Sequence, residues 1–268
     1  MKIENLKKQE LIDYCAKIGI QAAEKSKKQL IQLVWKYRIQ EINAATKQGK
    51  ALELLKSKID LLAEEYASQL KIKVDLRKEE MKNDDNSHYL IYRVLGITGK
   101  EGQLIDEYQN TGRFLYKYAG SFLEEAASLC LQFNNPKGRK TTVKNPNGKN
   151  PKPKTFEIDF LDNNDAIEIK WRDATTDGDH ITKEHTRVKA IEHHGYKPIR
   201  AMFYYPQREQ AIKIQDTLKT LYKGVHGEYY GGDKAWDFIK THTGFDLKAI
   251  LTEIADKRTP EKVDGQGN

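Results

Sequence analysis

The amino-acid sequence predicts an α+β or α/β protein whose small mixed sheet is flanked by helices and preceded by an N-terminal helical region. Two observations support this prediction. From residue 113 to residue 256, apolar patterns follow in the order helix, three strands, helix, strand and further helices, which suits a sheet with helices packed on its faces. Before residue 113 the patterns are helical, and we divide that part into an N-terminal region, 1–44, and a helical region, 45–112.

The composition favours an anionic partner. The 268 residues include 46 Lys and Arg against 39 Asp and Glu, a formal net charge of +7, and such a balance suits nucleic acid or an acidic membrane surface. The two cysteines, Cys15 and Cys130, are too few for a disulfide scaffold or a zinc set. The N-terminus lacks the apolar core of a signal peptide, and no stretch is apolar enough to span a bilayer. We therefore expect a soluble, cytoplasmic protein.

Residues 1–40 predict two short helices. The first, in NLKKQELIDYCAKIGI, ends at a Gly-Ile break, and the second, in SKKQLIQLVWKYRI, begins after Ser26 as its N-cap. The order Leu-x4-Leu, Gly-Ile break and Lys-Lys-x-Leu-Ile-x-Leu resembles the helix–extension–helix box of SAP-like DNA-binding modules. That resemblance implies that Lys25, Lys27 and Lys28 lie along a phosphate backbone as nonspecific anchors. The alternative is a plain amphipathic hairpin that packs on the body of the protein.

Helical patterns continue as far as residue 131. A long helical stretch with a charged surface is predicted over 41–75, another helix begins near Ser87, and a short one ends at Gly112. Over 113–131, apolar residues at helical spacing predict the first core helix of the sheet domain. Its apolar stripe consists of Leu115, Tyr118, Phe122, Ala126, Leu129 and Cys130.

Segment 136–154, PKGRKTTVKNPNGKNPKPK, has seven Lys or Arg in nineteen residues and no acid. Its Pro-Asn-Gly sequence at 146–148 is typical of a hairpin tip. Because the segment immediately precedes an acidic hairpin, we predict an arm that lies on the DNA backbone through Lys137, Arg139 and Lys140. A solvated loop is the alternative interpretation.

Residues 156–173, FEIDFLDNNDAIEIKWRD, predict a β-hairpin whose turn is DNND, because Asn and Asp tolerate left-handed backbone and bond their own main chain. Side chains alternate across a strand. Asp159 on the first strand therefore shares one side of the sheet with Glu168 and Lys170 on the second. Two acids and an amine that converge beside apolar neighbours are costly to bury unless they bind something.

The rest of the chain predicts helices around one more strand. The glycine-rich segment 224–236 is interpreted as a turn, because it follows no strand and lacks the Lys-Ser/Thr of a phosphate loop. The polar tail, 257–268, is expected to be disordered. The predicted elements are a helix from Asp179 to Gly195, a buried strand over 197–206, and helices near 207–222, 232–241 and 245–256.

Asp159, an eight-residue spacer and Glu168-Ile169-Lys170 form the arrangement of the PD-(D/E)XK nucleases, which this chain resembles. The order helix, three strands, helix, strand over 113–206 is also that of the family core. The resemblance implies that Asp159, Glu168 and the carbonyl of Ile169 bind Mg²⁺, a hard ion that prefers oxygen ligands. Asp159, Glu168 and Lys170 would then be catalytic. Lys170 would orient or deprotonate the attacking water and offset the charge on the phosphate.

Longer segments resemble type II restriction endonucleases of the ApaLI-like group. They are HYLIYRVLGITGKEGQLIDEYQNTGRFLYKYAGSFLEEAASL, EIKWRDATTDGDHITKEHTRVKAI and KPIRAMFYYP. The resemblance implies a family body over about residues 75–250 and Mg²⁺-dependent cleavage of double-stranded DNA at a short palindrome by a homodimer. It also implies a cognate DNA methyltransferase in the same prokaryotic system. Ile158 stands where the nuclease motif has Pro, a residue that shapes the strand and takes no part in the chemistry.

Members of this family often use an acid from the first core helix, which here is Glu124 or Glu125. With the apolar stripe defining the inward direction, Glu124 points nearly opposite the core, whereas Glu125 lies on the flank of the stripe. We therefore predict that Glu125 is the further catalytic acid and reaches the metal site directly or through water.

Segment 172–187 is the next candidate for DNA contact. In the predicted helix over 179–194, basic side chains share one side, opposite an apolar face; a solvated polar face is the alternative. Zinc is disfavoured, because the histidines from residue 180 onward have no neighbouring Cys and the adjacent His193 and His194 point apart. The residues expected to meet base edges and phosphates are Arg172, Thr175, Thr176, Lys183, His185 and Arg187.

Two alternatives to a restriction endonuclease stay open from the sequence. A repair or junction-resolving nuclease of the same fold would prefer DNA structure over DNA sequence. A noncatalytic DNA-binding protein, such as an SAP-like regulator, would bind DNA without cutting it. The intact set of Asp159, Glu168 and Lys170 argues against a decayed site.

Overall fold

The structure, a computed structural model, describes residues 3, 6–22, 24–147, 152–172 and 178–260, with side chains described from residue 181 in the last range. Nine helices and five strands lie in these ranges. The helices are α1 (Lys8–Lys17), α2 (Lys27–Lys47), α3 (Ala51–Lys82), α4 (Tyr89–Val94), α5 (Gly99–Asn134), α6 (Gly178–His193), α7 (Glu209–Gly224), α8 (Asp233–Thr243) and α9 (Leu247–Arg258). The strands are β1 (Arg139–Lys144), β2 (Thr155–Asp162), β3 (Asp165–Arg172), β4 (Lys197–Tyr204) and β5 (Glu228–Gly231).

The chain divides into two compact units. Unit 1 comprises residues 1–59 and 124–268, and unit 2 comprises residues 60–123. These limits differ from the predicted regions 45–112 and 113–256, because the divisions fall inside the continuous helices α3 and α5. Of the tail that we expected to be disordered, the first two residues belong to α9 and the last eight lie outside the described residues.

Unit 1 holds a mixed sheet with the strand order β1-β2-β3-β4-β5 among the described residues. The pairs β1–β2 and β2–β3 are antiparallel, whereas β3–β4 and β4–β5 are parallel. Helix α6 connects β3 to β4 and α7 connects β4 to β5, as parallel neighbours require a crossover segment. The predicted fold class, a small mixed sheet flanked by helices with a helical N-terminal region, is confirmed.

The central strands are buried because helices cover the sheet. β4 is buried from Pro198 to Phe203 without a break, which is typical of a parallel strand covered on both faces. β2 begins with an alternating pattern, in which Phe156 and Ile158 are buried and Glu157 is exposed. Helix α6 packs on this part of the sheet. The core cluster there consists of Val143, Phe156, Ile158, Ala166, Ala190 and Ile191.

Local predictions are wrong in two places, at the middle of α5 and at β5. Gly112 does not end a helix, since α5 continues through it to Asn134, and Leu115 is 56% exposed rather than part of a core stripe. A glycine inside a helix costs only about 1 kcal/mol, which a long helix can offset. The second miss is β5, which occupies EYYG in the segment that we interpreted as a turn; four residues are too few to show a strand period.

The two predicted N-terminal helices are confirmed as α1 and α2. Ser26 is the N-cap of α2: its hydroxyl accepts the backbone N–H of Gln29 at 3.3 Å, and the Gln29 side chain accepts the backbone N–H of Ser26 at 2.8 Å. This reciprocal capping box fixes the start of the helix. The two helices share a core that contains Leu6, Leu11, Cys15, Ala22, Leu30 and Val34.

Unit 2 consists of the C-terminal part of α3, α4 and the N-terminal part of α5. Its helices are joined by polar contacts, since Arg77 Nη2 donates to Asn110 Oδ1 at 2.8 Å and Lys78 forms an ion pair with Glu107 at 2.7 Å. Many of its large apolar side chains are exposed, among them Leu90, Ile91, Val94, Leu95, Leu104, Ile105 and Tyr108. Across the part of the chain that the structure describes, no helix has both the length and the apolar character that crossing a bilayer requires.

Candidate active site

The candidate site lies where β2 and β3 separate after their hairpin turn. Asn163 in the turn has a φ of +52°, the left-handed backbone that Asn tolerates. From the turn, the two strands pair as far as Phe160 opposite Ile167. Asp159 and Glu168 are the next residues along the two strands. The predicted hairpin thus brings these acids to one place.

Where the backbone pairing of β2 and β3 ends, the Asp159 side chain forms a hydrogen bond with the backbone of β3. Its Oδ2 accepts the backbone N–H of Ile169 at 3.0 Å, and the residue is 7% exposed. Burial raises the pKa of the Asp159 carboxyl, but Lys170, a hydrogen bond with Glu124, Arg187 and the Ile169 N–H together outweigh burial and hold the pKa below its usual value. The carboxylate is therefore ionised at neutral pH, the state that binds a cation.

Glu168 lies between two cations and is 4% exposed. Its Oε1 contacts Nζ of Lys170, and its Oε2 contacts the guanidinium of Arg187. Lys170 Nζ also lies 3.9 Å from Asp159 Oδ2. Asp159, Glu168 and Lys170, three of the four side chains predicted to be catalytic, therefore form one cluster, in which two cations offset the repulsion between two buried carboxylates. Their catalytic roles stay predictions.

The acid that α5 contributes beside Asp159 is Glu124, whose side chain forms a hydrogen bond with the Asp159 carboxyl. The helical pattern had directed Glu124 away from the core, whereas the structure brings its side chain to Asp159. Glu125 is itself buried, at 8% exposure, and its role toward a metal stays a prediction.

The oxygen donors of the cluster suit a hard divalent ion. Asp159 and Glu168 supply carboxylate oxygens, and the Ile169 carbonyl belongs to the same stretch of β3. Mg²⁺ usually binds through one or two carboxylates and keeps several waters, so this donor set fits it. In the described ranges, no group of three or more His, Cys, Asp or Glu side chains is arranged to hold a metal ion.

Residues 22–256 match the sequence model of a family described as ApaLI-like restriction endonuclease. The chain belongs to this family. It is therefore a restriction endonuclease, a nuclease that binds DNA and hydrolyses it. The expected family body over about residues 75–250 was too short, because the ApaLI-like match begins at residue 22 and includes α2 of the predicted N-terminal region. No match was found among curated proteins or among solved structures.

In this ApaLI-like endonuclease, the basic residues predicted to anchor DNA differ in their exposure to solvent and in their ion pairing. Lys27 and Lys28 are exposed and Lys25 is half-buried. In the basic arm, β1 begins at the exposed Arg139, and Lys137 just before it is exposed as well. Lys140 is instead paired with Glu157. DNA contact by all of these residues stays a prediction.

The residues predicted to contact DNA between 172 and 187 also differ in their exposure to solvent. Arg172 is exposed, with its guanidinium 5.4 Å from the ring centre of Trp171. Lys183 is exposed and His185 is half-buried. Arg187 contacts Glu168 inside the site, a use that the sequence prediction did not include. Thr175 and Thr176 lie outside the described residues.

Sequence analysis missed a buried polar network behind the cluster. Glu184 on α6 is 4% exposed and accepts hydrogen bonds from Arg200 of β4 and from the hydroxyl of Tyr222 on α7. One signal was present: Arg200 is a charged residue in the middle of an otherwise apolar strand, and such a residue needs a buried partner. Its partner lies 16 residues away in the chain, and sequence spacing does not identify it.

Proposed function

We propose that this protein is a type II restriction endonuclease that uses Mg²⁺ to cut both strands of a short palindromic DNA sequence. The observation that supports this best is the cluster of Asp159, Glu168 and Lys170 in a chain that belongs to a restriction endonuclease family. Phosphodiester hydrolysis needs negative ligands for a metal and a cation near the phosphate. The cluster offers both.

Each side chain has a distinct task in the proposed reaction. Asp159 and Glu168, with the Ile169 carbonyl, would hold Mg²⁺, which polarises the scissile phosphate and lowers the pKa of the attacking water. Lys170 would orient or deprotonate that water and offset the charge that develops on the phosphate. Its side chain is 36% exposed, against 6% for Asp159, so the amine can meet a substrate that approaches from solvent.

A homodimer follows from the symmetry of the substrate. The cluster described here provides one hydrolytic site, whereas a double-strand break requires two hydrolyses on antiparallel strands. A two-fold protein places two equivalent sites on a two-fold DNA sequence. A host that contains such an enzyme must protect its own DNA, so we expect a DNA methyltransferase with the same specificity in the same system.

Digestion of plasmid DNA with the full chain and Mg²⁺ tests the proposal. The expected result is a set of discrete fragments whose ends, when sequenced, share one palindrome. Cutting that follows branched or damaged DNA regardless of sequence would instead support a junction-resolving or repair nuclease. A gel shift without any cleavage would support a noncatalytic DNA-binding protein and overturn the proposal.

A further inference from the structure

The guanidinium of Arg187 lies directly behind Glu168. Its Nη2 contacts Glu168 Oε2 and donates to the backbone carbonyl of Glu157 at 3.1 Å. Its Nη1 lies 3.5 Å from Glu184 Oε2. The Arg187 side chain is only 12% exposed. Arg187 therefore connects α6 to the two strands that provide the acids, and its charge is directed into the site.

The partner that holds Arg187 is itself fixed from two sides. Glu184 Oε1 accepts Arg200 Nη1 at 3.1 Å and the Tyr222 hydroxyl at 2.6 Å. Burial and the Glu184 carboxylate raise the pKa of Tyr222, so the hydroxyl keeps the proton that it donates. Arg200 is paired with Glu168 in the register of β3 and β4. Arg187 is thus attached to a frame built from α6, α7 and β4.

The two oxygens of Glu168 have different neighbours. Oε2 is held by Arg187, whereas Oε1 is on the side of Lys170, which in turn lies 3.9 Å from Asp159 Oδ2. A carboxylate held at one oxygen by a guanidinium cannot rotate freely about its terminal bond, and ordered outer contacts of this kind raise the affinity of a metal ligand. With Oε2 held by Arg187, Oε1 is the oxygen that contacts Lys170, the amine that lies next to Asp159.

We propose that Arg187 is a positioning residue of the nuclease site, which fixes Glu168 so that Oε1 faces the metal position beside Asp159. The inference rests on the proposed function, since it needs a divalent ion at these acids. It assigns to Arg187 a task in metal binding rather than in DNA contact. The planar guanidinium fork of Arg187 contacts oxygens of Glu168, Glu157 and Glu184 at once, and the more compact amine of a lysine does not reproduce this geometry.

Direct binding of Mn²⁺ to the full-length chain without DNA, measured by electron paramagnetic resonance, tests this assignment. Arg187→Lys keeps the charge and loses the fork, and Arg187→Gln loses the charge. We expect both variants to bind Mn²⁺ roughly 10- to 100-fold more weakly than the wild type. Cleavage should recover in part at high metal concentration, while DNA affinity in saturating Ca²⁺ stays within about twofold of the wild type, as outer-contact residues act through the ligand. Lys189→Gln, an exposed site on α6, is the matched control and should leave all three measurements unchanged.

The other outcomes are distinguishable. If the Lys variant binds Mn²⁺ like the wild type, or the Gln variant binds it more tightly, Arg187 is only a counter-charge and the positioning role is overturned. If DNA affinity falls while Mn²⁺ affinity does not, Arg187 is a DNA contact and the role is again overturned. A wild-type chain that neither binds Mn²⁺ nor cuts DNA overturns the proposed function and this inference together. Thermal melting of each variant shows whether it is folded. If Arg187→Gln does not fold, the Mn²⁺ affinity of Arg187→Lys, which keeps the charge, tests the positioning role.

Discussion

The cluster at Asp159 and the α1–α2 pair use charge in opposite ways. In the cluster, acids and bases are mostly buried and in contact, so that each charge is held by a partner of the opposite sign. In the α1–α2 pair, Lys27 and Lys28 are exposed beside a core built from apolar residues of both helices. The first arrangement needs two strands and two helices from different parts of the chain, whereas the second lies within the continuous segment 8–47.

The difference shows what each region is suited to do. Charges held in fixed geometry suit chemistry on one phosphate, where the positions of metal and water decide the rate. Long exposed lysines suit attraction to a phosphate backbone, which carries no sequence information. We therefore expect changes in the cluster to remove cleavage and spare DNA binding, and changes in the helical pair to weaken DNA binding and spare cleavage.

The largest effect is expected from the acids. Asp159→Asn and Glu168→Gln each remove a ligand charge with little change in volume, and since metal ions contribute several kcal/mol to such transition states, cleavage should fall on the order of 10³-fold or more. Gel shifts should show that DNA affinity is kept, because the basic surface is unchanged. Asp256→Asn, an exposed site on α9, is the control. Cleavage within tenfold of the wild-type rate by either variant would sink the site assignment.

Exchange of the metal should separate binding from cutting without any mutation. Ca²⁺ accepts the same oxygen ligands with looser geometry, so we expect sequence-specific DNA binding in Ca²⁺ without fragments. Parallel gel shifts and plasmid digests in Mg²⁺, Ca²⁺ and a chelator provide the measurement. Efficient cutting in the presence of the chelator would contradict a metal-dependent mechanism.

A smaller but clear loss is expected for Lys170→Arg. The guanidinium keeps the charge, but it is broader than an amine and cannot be deprotonated, so activity should fall by about 10²-fold or more if Lys170 transfers a proton. Single-turnover cleavage measures this, with Lys213→Arg on the exposed face of α7 as the control. Activity close to that of the wild type would reduce Lys170 to a fixed charge and rule out a role in water activation.

The smallest effect on cleavage is expected from the helical pair. Replacement of Lys25, Lys27 and Lys28 by Gln should flatten the slope of log affinity against log salt by about two to three units, at about 0.9 for each phosphate neutralised. The cut site should not change. Substitution is preferable to deletion of the region, because Ile42 of α2 is buried and Glu41 forms an ion pair with Lys58 of α3.

The matched control for this test is the triple replacement of Lys213, Lys223 and Lys234, which are exposed in other helices or at their ends. An unchanged salt slope in the Lys25, Lys27 and Lys28 variant would show that the pair is a structural hairpin. A change of cut site would show that it reads bases, and the division between anchor and catalytic cluster would have to be abandoned.

Much of the fold could be predicted because its signals are local. The capping box at Ser26, the DNND turn and the continuous apolar run of β4 each depend on neighbours within a few residues. The length of α5 could not be predicted, since Gly112 is a weak stop signal in isolation and the surrounding helix overrides it. β5 has a partner far away in the sequence, and its pairing with β4 rather than its composition makes it a strand.

The sequence by itself determined that Asp159, Glu168 and Lys170 share one side of a hairpin. Side chains alternate along each strand, and the short turn between the strands places Asp159 and Glu168 at matching positions. Only the tertiary structure decided which further groups surround them. Glu124 beside Asp159 depends on how α5 is rotated against the sheet, and Arg187 beside Glu168 depends on how α6 crosses β3. Such angles are set by the packing of side chains from distant segments, on which helical periodicity and spacing along the chain carry no information.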